Sequence, residues 1–188
     1  IRAWNKLSFQ KGDSSAIFGV GSTGMMHVML SHAHEFEKIF CIDVNDFRLD
    51  FAKKFGTTLT INSKDSQLEQ KILSETENQG VDAVIVATGN LKAYSQAIQL
   101  VRKGGTIVLF GVPSKGAALE IDMSLAYSKE ITMTSSYAAS DKDTKQALEL
   151  IQSSQINVKE LITHRYPLED SQKAFDHAHS GENAMKII

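Results

Sequence analysis

Short apolar runs rich in β-branched residues recur along the chain, and longer segments with helical spacing separate them. The runs occupy residues 16–18, 39–42, 83–87, 106–110 and 131–134, and a weaker one occupies 59–61. Successive positions in these runs are apolar, which is typical of strands buried on both faces of a parallel sheet. The intervening segments predict helices over residues 23–33, 46–55, 66–78, 91–101 and 143–153.

The alternation of strand and helix predicts an α/β protein. The connections are long enough for right-handed βαβ crossovers, so we expect a Rossmann fold, a doubly wound parallel six-stranded sheet with helices on both faces. The 188 residues, 42% of them hydrophobic, suffice for one sizeable core and are few for two. No internal repeat, low-complexity tract or Pro/Gly linker divides the chain. We therefore expect one domain over residues 1–188.

The charge balance argues against a polyanionic partner. The chain has 20 Lys and Arg against 22 Asp and Glu, a net charge of -2, so neither nucleic acid nor an anionic membrane is expected to bind it. No apolar run approaches the roughly 20 residues that span a bilayer, and a secretory signal is not evident, so we expect a cytoplasmic protein. The only cysteine, Cys41, lies in an apolar run, where a buried and unreactive thiol is expected.

A glycine-rich segment follows the first predicted strand and opens the first predicted helix, the context that a dinucleotide fingerprint requires. Gly19 permits a tight turn, Gly21 lets the backbone approach a pyrophosphate, and Gly24 allows close packing of helix against strand. Ser22 and Thr23 can add hydroxyl or amide donors at a helix N-terminus that favours anionic phosphate. Taken alone, the pattern is equally typical of an ordinary glycine-rich turn.

An acidic residue at the end of the second predicted strand favours the dinucleotide-binding interpretation over the ordinary turn. Asp43 lies nineteen residues after Gly24, near the spacing of about 20 expected for a carboxylate that accepts from both ribose hydroxyls of NAD. Asn45 fits the N-cap of the next helix, which leaves Asp43 free for the ribose, and its charge would repel the 2′-phosphate of NADP. Arg48 could reach the same ribose or the adenine face, although an exposed helix arginine is the alternative. The sequence therefore favours NAD.

Over essentially its whole length the chain resembles the coenzyme domain of the medium-chain dehydrogenase/reductase family, the zinc-type alcohol and polyol dehydrogenases. Several segments carry the resemblance: Lys11-Gly12-Asp13, the glycine-rich loop, Asp43 with Arg48, residues 52–56, residues 81–84 with Thr88-Gly89, Lys103-Gly104-Gly105 and Phe110-Gly111-Val112. The C-terminal part is most similar to the sorbitol (L-iditol) dehydrogenase-like branch. It contributes residues 136–140, residues 162–170 and Ala174-Phe175.

The resemblance implies further cofactor-binding positions. Two loops would line the nicotinamide side, one after the fourth strand (Ala87, Thr88 and Gly89) and one after the fifth (Phe110, Gly111 and Val112). Three residues would flank the carboxamide, namely Ser136, Tyr137 and Ala138, and Lys186 would meet the pyrophosphate. The two loops also agree with the general rule that ligands of open α/β sheets lie outside the carboxyl ends of the strands.

The resemblance also implies a chemistry in which a zinc-bound alcohol loses its proton and a hydride passes to NAD, with the metal as Lewis acid. The family's zinc ligands, a Cys, a His and a Glu or second Cys, belong to an N-terminal lobe that would precede Ile1. We therefore assign no catalytic residue and no metal ligand, and expect this chain to bind cofactor without catalysing a reaction by itself. Sorbitol dehydrogenases carry Arg and Tyr where this chain has Ala138 and Ala139, which leaves the alcohol or polyol substrate open.

Relatives pair the strand equivalent to residues 131–134 across a two-fold axis, so the resemblance implies a homodimer or tetramer.

Three other functions stay open. An NAD-sensing regulatory domain would share the loop and Asp43, but gives no reason for the tail over residues 161–188. A zinc-free quinone-type reductase of the same superfamily usually prefers NADPH, against which Asp43 argues. An S-adenosylmethionine methyltransferase is disfavoured by Gly24 and by the lack of an acidic residue just before Gly19.

Overall fold

A computed structural model describes residues 1–188, and a single parallel sheet of six strands forms its centre. The strands are β1 (Ser14–Phe18), β2 (Lys38–Asp43), β3 (Leu59–Asn62), β4 (Val81–Val86), β5 (Val101–Leu109) and β6 (Thr132–Ser135). Their spatial order is β3-β2-β1-β4-β5-β6, and every pairing is parallel. The predicted doubly wound sheet is confirmed, including its weakest strand.

Seven α-helices accompany the sheet: α1 (Ser22–Ala33), α2 (Asp46–Lys53), α3 (Leu68–Glu75), α4 (Leu91–Leu100), α5 (Met123–Ser128), α6 (Asp141–Gln152) and α7 (Ser171–Ser180). A second, two-stranded parallel sheet joins β7 (Ile162–His164) to β8 (Lys186–Ile187). The five predicted helices are present with ends shifted by a few residues. The helices α5 and α7 and the small sheet were not predicted from the sequence.

The hydrophobic core consists of two clusters, one on each face of the large sheet. On β1, Ile17 belongs to one cluster, together with residues of α1 and α2, while Ala16 and Phe18 belong to the other, with residues of α3 and α4. Alternate side chains of a strand point to opposite faces, so a strand covered by helices on both sides must be apolar throughout. The buried, free thiol of Cys41 faces the first cluster, as predicted.

The order of the strands creates a switch point between β1 and β4. From β1 the chain proceeds outward through β2 to β3, then returns to pair β4 with the other edge of β1. Crossovers on the two sides of this point cover opposite faces, so the loops after β1 and β4 diverge and leave a crevice at the carboxyl ends. No helix of the chain is both long and apolar enough to span a bilayer.

Candidate dinucleotide-binding site

The loop between β1 and α1 depends on glycine at two positions. Gly19 has φ +84°, a left-handed conformation that side chains rarely adopt, and its amide donates to the Ile42 carbonyl at 2.7 Å. A Cβ on Gly24 would lie 1.8 Å from the Gly19 carbonyl oxygen, so the first turn of α1 rests directly on the loop. The free amides of this helix start therefore point out of the loop, where the helix dipole favours an anion.

The carboxylate of Asp43 is buried at the end of β2, and both of its oxygens already accept a backbone hydrogen bond. Oδ2 accepts from the Val20 amide at 2.8 Å and Oδ1 from the Asn45 amide at 3.0 Å. Asn45 caps α2 as predicted, accepting from the Arg48 amide at 3.3 Å, so Asp43 is not the N-cap, although each of its oxygens is already used once. A carboxylate has about four acceptor positions, so one further hydrogen bond per oxygen remains possible.

Arg48 reaches from α2 across the mouth of the glycine-rich loop. Its Nη1 lies 3.9 Å from Asp43 Oδ2 and 3.6 Å from where a Cβ of Gly21 would be. Its Nη2 lies 3.5 Å from the corresponding position on Gly181, the left-handed residue that ends α7. The Nε of Arg48 is buried and has no hydrogen-bond partner. Buried donors rarely remain unpaired, so this atom can take an acceptor from a ligand.

A cleft of about 360 Å³ opens at the switch point between β1 and β4. It collects the first part of the predicted site: Gly19, Gly21, Ser22, Thr23, Gly24, Asp43, Arg48, Ala87 and Thr88. Several lining residues were missed: Phe18, Ile42, Val44, Ser63, Asn90, Lys92, Ala93, Gln96 and Met185. Val44 and Ser63 directly follow β2 and β3, a position from which the sequence could have identified them. Met185 belongs to the C-terminal tail, and no local sequence pattern indicates that this tail reaches the cleft.

The remaining predicted residues lie outside this cleft: Gly89, Phe110, Gly111, Val112, Ser136, Tyr137, Ala138 and Lys186. The loops after β4 and β5 contact each other, while the side chains of Val112 and Tyr137 are exposed. Lys186 is exposed on β8, next to Met185 in the cleft wall. The structure thus brings together the residues around the glycine-rich loop, while the second group lies outside the cleft, on the loops after β4, β5 and β6 and on β8.

His27 is buried in α1, beneath the end of β5. Burial lowers the pKa of its imidazole to about 3. Its Nδ1 accepts a hydrogen bond from the indole Nε1 of Trp4 at 3.0 Å, and its ring meets Phe110 edge-on, 4.6 Å between centroids. His27 is therefore a neutral support under the β5 loop.

No group of three or more His, Cys, Asp or Glu side chains in the chain is placed to hold a metal ion.

Comparison with known proteins shows that the chain is similar to dehydrogenases and to a reductase. A family model described as zinc-binding dehydrogenase matches residues 22–153. The chain is 34% identical over 183 residues to alcohol dehydrogenase 1 of Oryza sativa subsp. indica, which covers 95% of this chain and 48% of that protein. It is 32% identical over 181 residues to D-xylulose reductase A of Aspergillus niger, covering 94% and 50% respectively. The chain spans about half the length of the curated relatives it matches.

Solved structures share the fold over nearly the whole chain. Alcohol dehydrogenase TADH from Thermus sp. ATN1 is 26% identical with a TM-score of 0.88, over 95% of this chain and 51% of that one. A short chain alcohol dehydrogenase (rspB) from E. coli CFT073, solved with its cofactor NADH, is 21% identical with a TM-score of 0.85. That alignment covers 95% of this chain and 52% of the E. coli protein.

Proposed function

Because the chain belongs to the zinc-binding dehydrogenase family, we propose that it is the NAD-binding domain of an oxidoreductase that transfers a hydride from an alcohol or polyol to NAD. The resemblance to zinc-type medium-chain dehydrogenases is confirmed by the family match and by the curated relatives. The observation that carries the cofactor proposal is a buried carboxylate, Asp43, beside a glycine loop at the switch in strand order. In this proposal residues 1–188 form one domain.

The groups lining the cleft fit a dinucleotide. The amides at the start of α1, with the hydroxyls of Ser22 and Thr23, would bind the pyrophosphate beside Gly21 and the Arg48 guanidinium. Asp43 would use its remaining acceptor positions for the ribose hydroxyls. The unpaired Nε of Arg48 would donate to the same half of the ligand, and Lys186 would add a positive charge near the pyrophosphate. The position of Met185 in the cleft wall supports the placement of Lys186.

The nicotinamide would lie at the open end of the crevice. NAD supplies a ring that accepts the hydride, and this chain would bind and orient that ring. The loops over residues 87–89 and 110–112 would form its floor, and Ser136, Tyr137 and Ala138 would flank its carboxamide. Support comes from their position at the carboxyl ends of β4, β5 and β6, next to the cleft.

Zinc would belong to the part of the longer relatives that this chain does not match. The His, Cys and carboxylate side chains of this chain do not converge on a metal position, so they do not fit a zinc site. We therefore propose that the zinc ligands and most contacts with the alcohol or polyol lie outside these residues. The chain would contribute cofactor binding, and catalysis would need the other part.

The assembly we propose is a homodimer or tetramer that pairs the edge of β6. This strand is the last in the sheet, and its outer edge has no partner within the chain. Met133 on this strand is an exposed apolar side chain, as are Met123 and Tyr127 on the preceding helix α5. An unpaired edge with apolar neighbours is a surface that proteins usually cover.

Side-by-side calorimetric titration of the chain with NADH and NADPH tests the cofactor proposal. We expect micromolar binding of NADH, with NADPH weaker by about tenfold or more because the Asp43 charge opposes a 2′-phosphate. In Asp43→Asn the preference should shrink towards equality, whereas Asp50→Asn, an exposed carboxylate paired only with Lys53, should keep it. Equal affinities in the wild type would remove the ribose assignment, and binding of neither would contradict the proposed function.

A further inference from the structure

The loops after β4 and β5 pack backbone against backbone. A Cβ on Gly111 would lie 2.3 Å from the carbonyl carbon of Thr88, and a Cβ on Gly89 would lie 2.5 Å from the Val112 carbonyl oxygen. Real Cβ atoms do not approach other atoms so closely, so only glycine fits at both positions. The two loops are therefore in direct backbone contact.

A hydrogen bond from Tyr94 fixes the β5 loop to α4. Tyr94 donates a hydrogen bond from its hydroxyl to the Gly111 carbonyl oxygen at 2.5 Å. The residue is 5% exposed, and burial raises the pKa of its phenol further above neutral pH, where an ordinary tyrosine is already protonated and able to donate. Its neighbour Ala93 lines the dinucleotide cleft. Helix α4 thus borders the cleft through Ala93 and holds the distant β5 loop through Tyr94.

We propose that Tyr94 is a positioning residue for the nicotinamide end of the cofactor. The inference rests on the proposed function, in which the loop over residues 110–112 forms the floor under the nicotinamide. Without the hydroxyl, the Gly111 carbonyl loses the donor that fixes the loop. The glycine-rich loop follows β1 and Asp43 lies at the end of β2, and the Tyr94 hydroxyl bonds to neither of them. Loss of the hydroxyl therefore weakens ring binding and spares the adenosine end.

The test compares two ligands that differ only at the ring. Calorimetry gives the affinity of the chain for NADH and for ADP-ribose, which lacks the nicotinamide. In Tyr94→Phe, NADH binds about three- to tenfold more weakly, which is the usual net effect of one lost hydrogen bond, while ADP-ribose changes by less than about twofold. Tyr127→Phe is the matched control, since that residue is 85% exposed and its hydroxyl has no partner.

A second variant, in the β5 loop itself, tests the same proposal. Gly111→Ala forces the β5 loop away from Thr88 and shows the same selective loss of NADH affinity. Equal weakening of both ligands in Tyr94→Phe, or no change in either, would overturn the role of Tyr94. So would a wild-type chain that binds ADP-ribose as tightly as NADH, while leaving the proposed function intact. A wild-type chain that binds neither ligand would contradict the proposed function itself.

Discussion

Asp43 shows how one buried carboxylate serves both the fold and the candidate site. Its hydrogen bonds to the amides of Val20 and Asn45 join the glycine-rich loop to the start of α2. An anion at this position needs such donors, because burying an unpaired carboxylate costs several kcal/mol. The loop is therefore held in shape by the residue expected to bind the ribose, before any ligand arrives.

His27 makes stability depend on pH in a defined direction. Its pKa is about 3 in the folded chain and about 6.5 when unfolded, so below pH 6.5 only the unfolded state gains the proton. The free energy of unfolding should fall by about 2 kcal/mol from this residue between pH 7 and pH 5, and be unaffected by it above pH 7. Urea unfolding at the two pH values measures this loss.

The matched variant for that measurement is His27→Asn. Its side-chain oxygen can still accept from Trp4, but it has no proton to gain. The variant should lose some stability at both pH values through poorer packing on Phe110, yet show a smaller difference between them. An equal pH dependence in variant and wild type would mean that His27 does not carry it.

At the scale of elements, Lys129 joins the end of α5 to the end of α4. Its Nζ donates to three carbonyls in the last turn of α4 and just beyond, those of Ile98, Gln99 and Val101, at 3.2, 2.8 and 2.9 Å. A cation at a helix C-terminus satisfies carbonyls that have no partner within the helix. Helix α5 has no fully buried side chain of its own, so this contact contributes to holding it against the sheet.

Substitution of that lysine tests the contact. Lys129→Met should lower the free energy of unfolding by about 1–3 kcal/mol, since it removes a charged donor from partly buried carbonyls. Lys103→Met is the control, because Lys103 is exposed and its amine has no partner. Thermal and urea unfolding of both variants give the comparison, and similar stabilities would show that α5 does not need this cap.

The elements that could be predicted are those whose pattern is local. Strands such as β4 are continuous apolar runs, and the apolar positions of helices such as α4 recur with a helical period. Each of these elements can therefore be predicted from its own residues. By contrast, α5 spans six residues and β8 two, too short to show a period. The same distinction between local pattern and long-range packing applies to the residues of the candidate site. The glycine-rich loop and Asp43 follow from spacing, whereas Met185 and Tyr94 reach their places only through tertiary packing.

The unpaired edge of β6 predicts association between copies of the chain. The chain should sediment as a dimer or larger species at micromolar concentration, and Met133→Lys should shift it towards monomer by placing a charge on the edge strand. Met133 is 39% exposed, and Met26→Lys provides the control at a methionine 38% exposed on α1. A wild-type chain that sediments as a monomer would contradict pairing through this edge.

The C-terminal tail adds a constraint on the order of events in folding. Met185 lines the cleft whose opposite wall begins at Gly19, and Gly181 sits against Arg48. More than 130 residues of sequence separate the partners in each pair, so closing that loop costs more entropy than any local contact. We therefore expect the cleft to be completed late in folding, after the glycine-rich loop and β2 have formed.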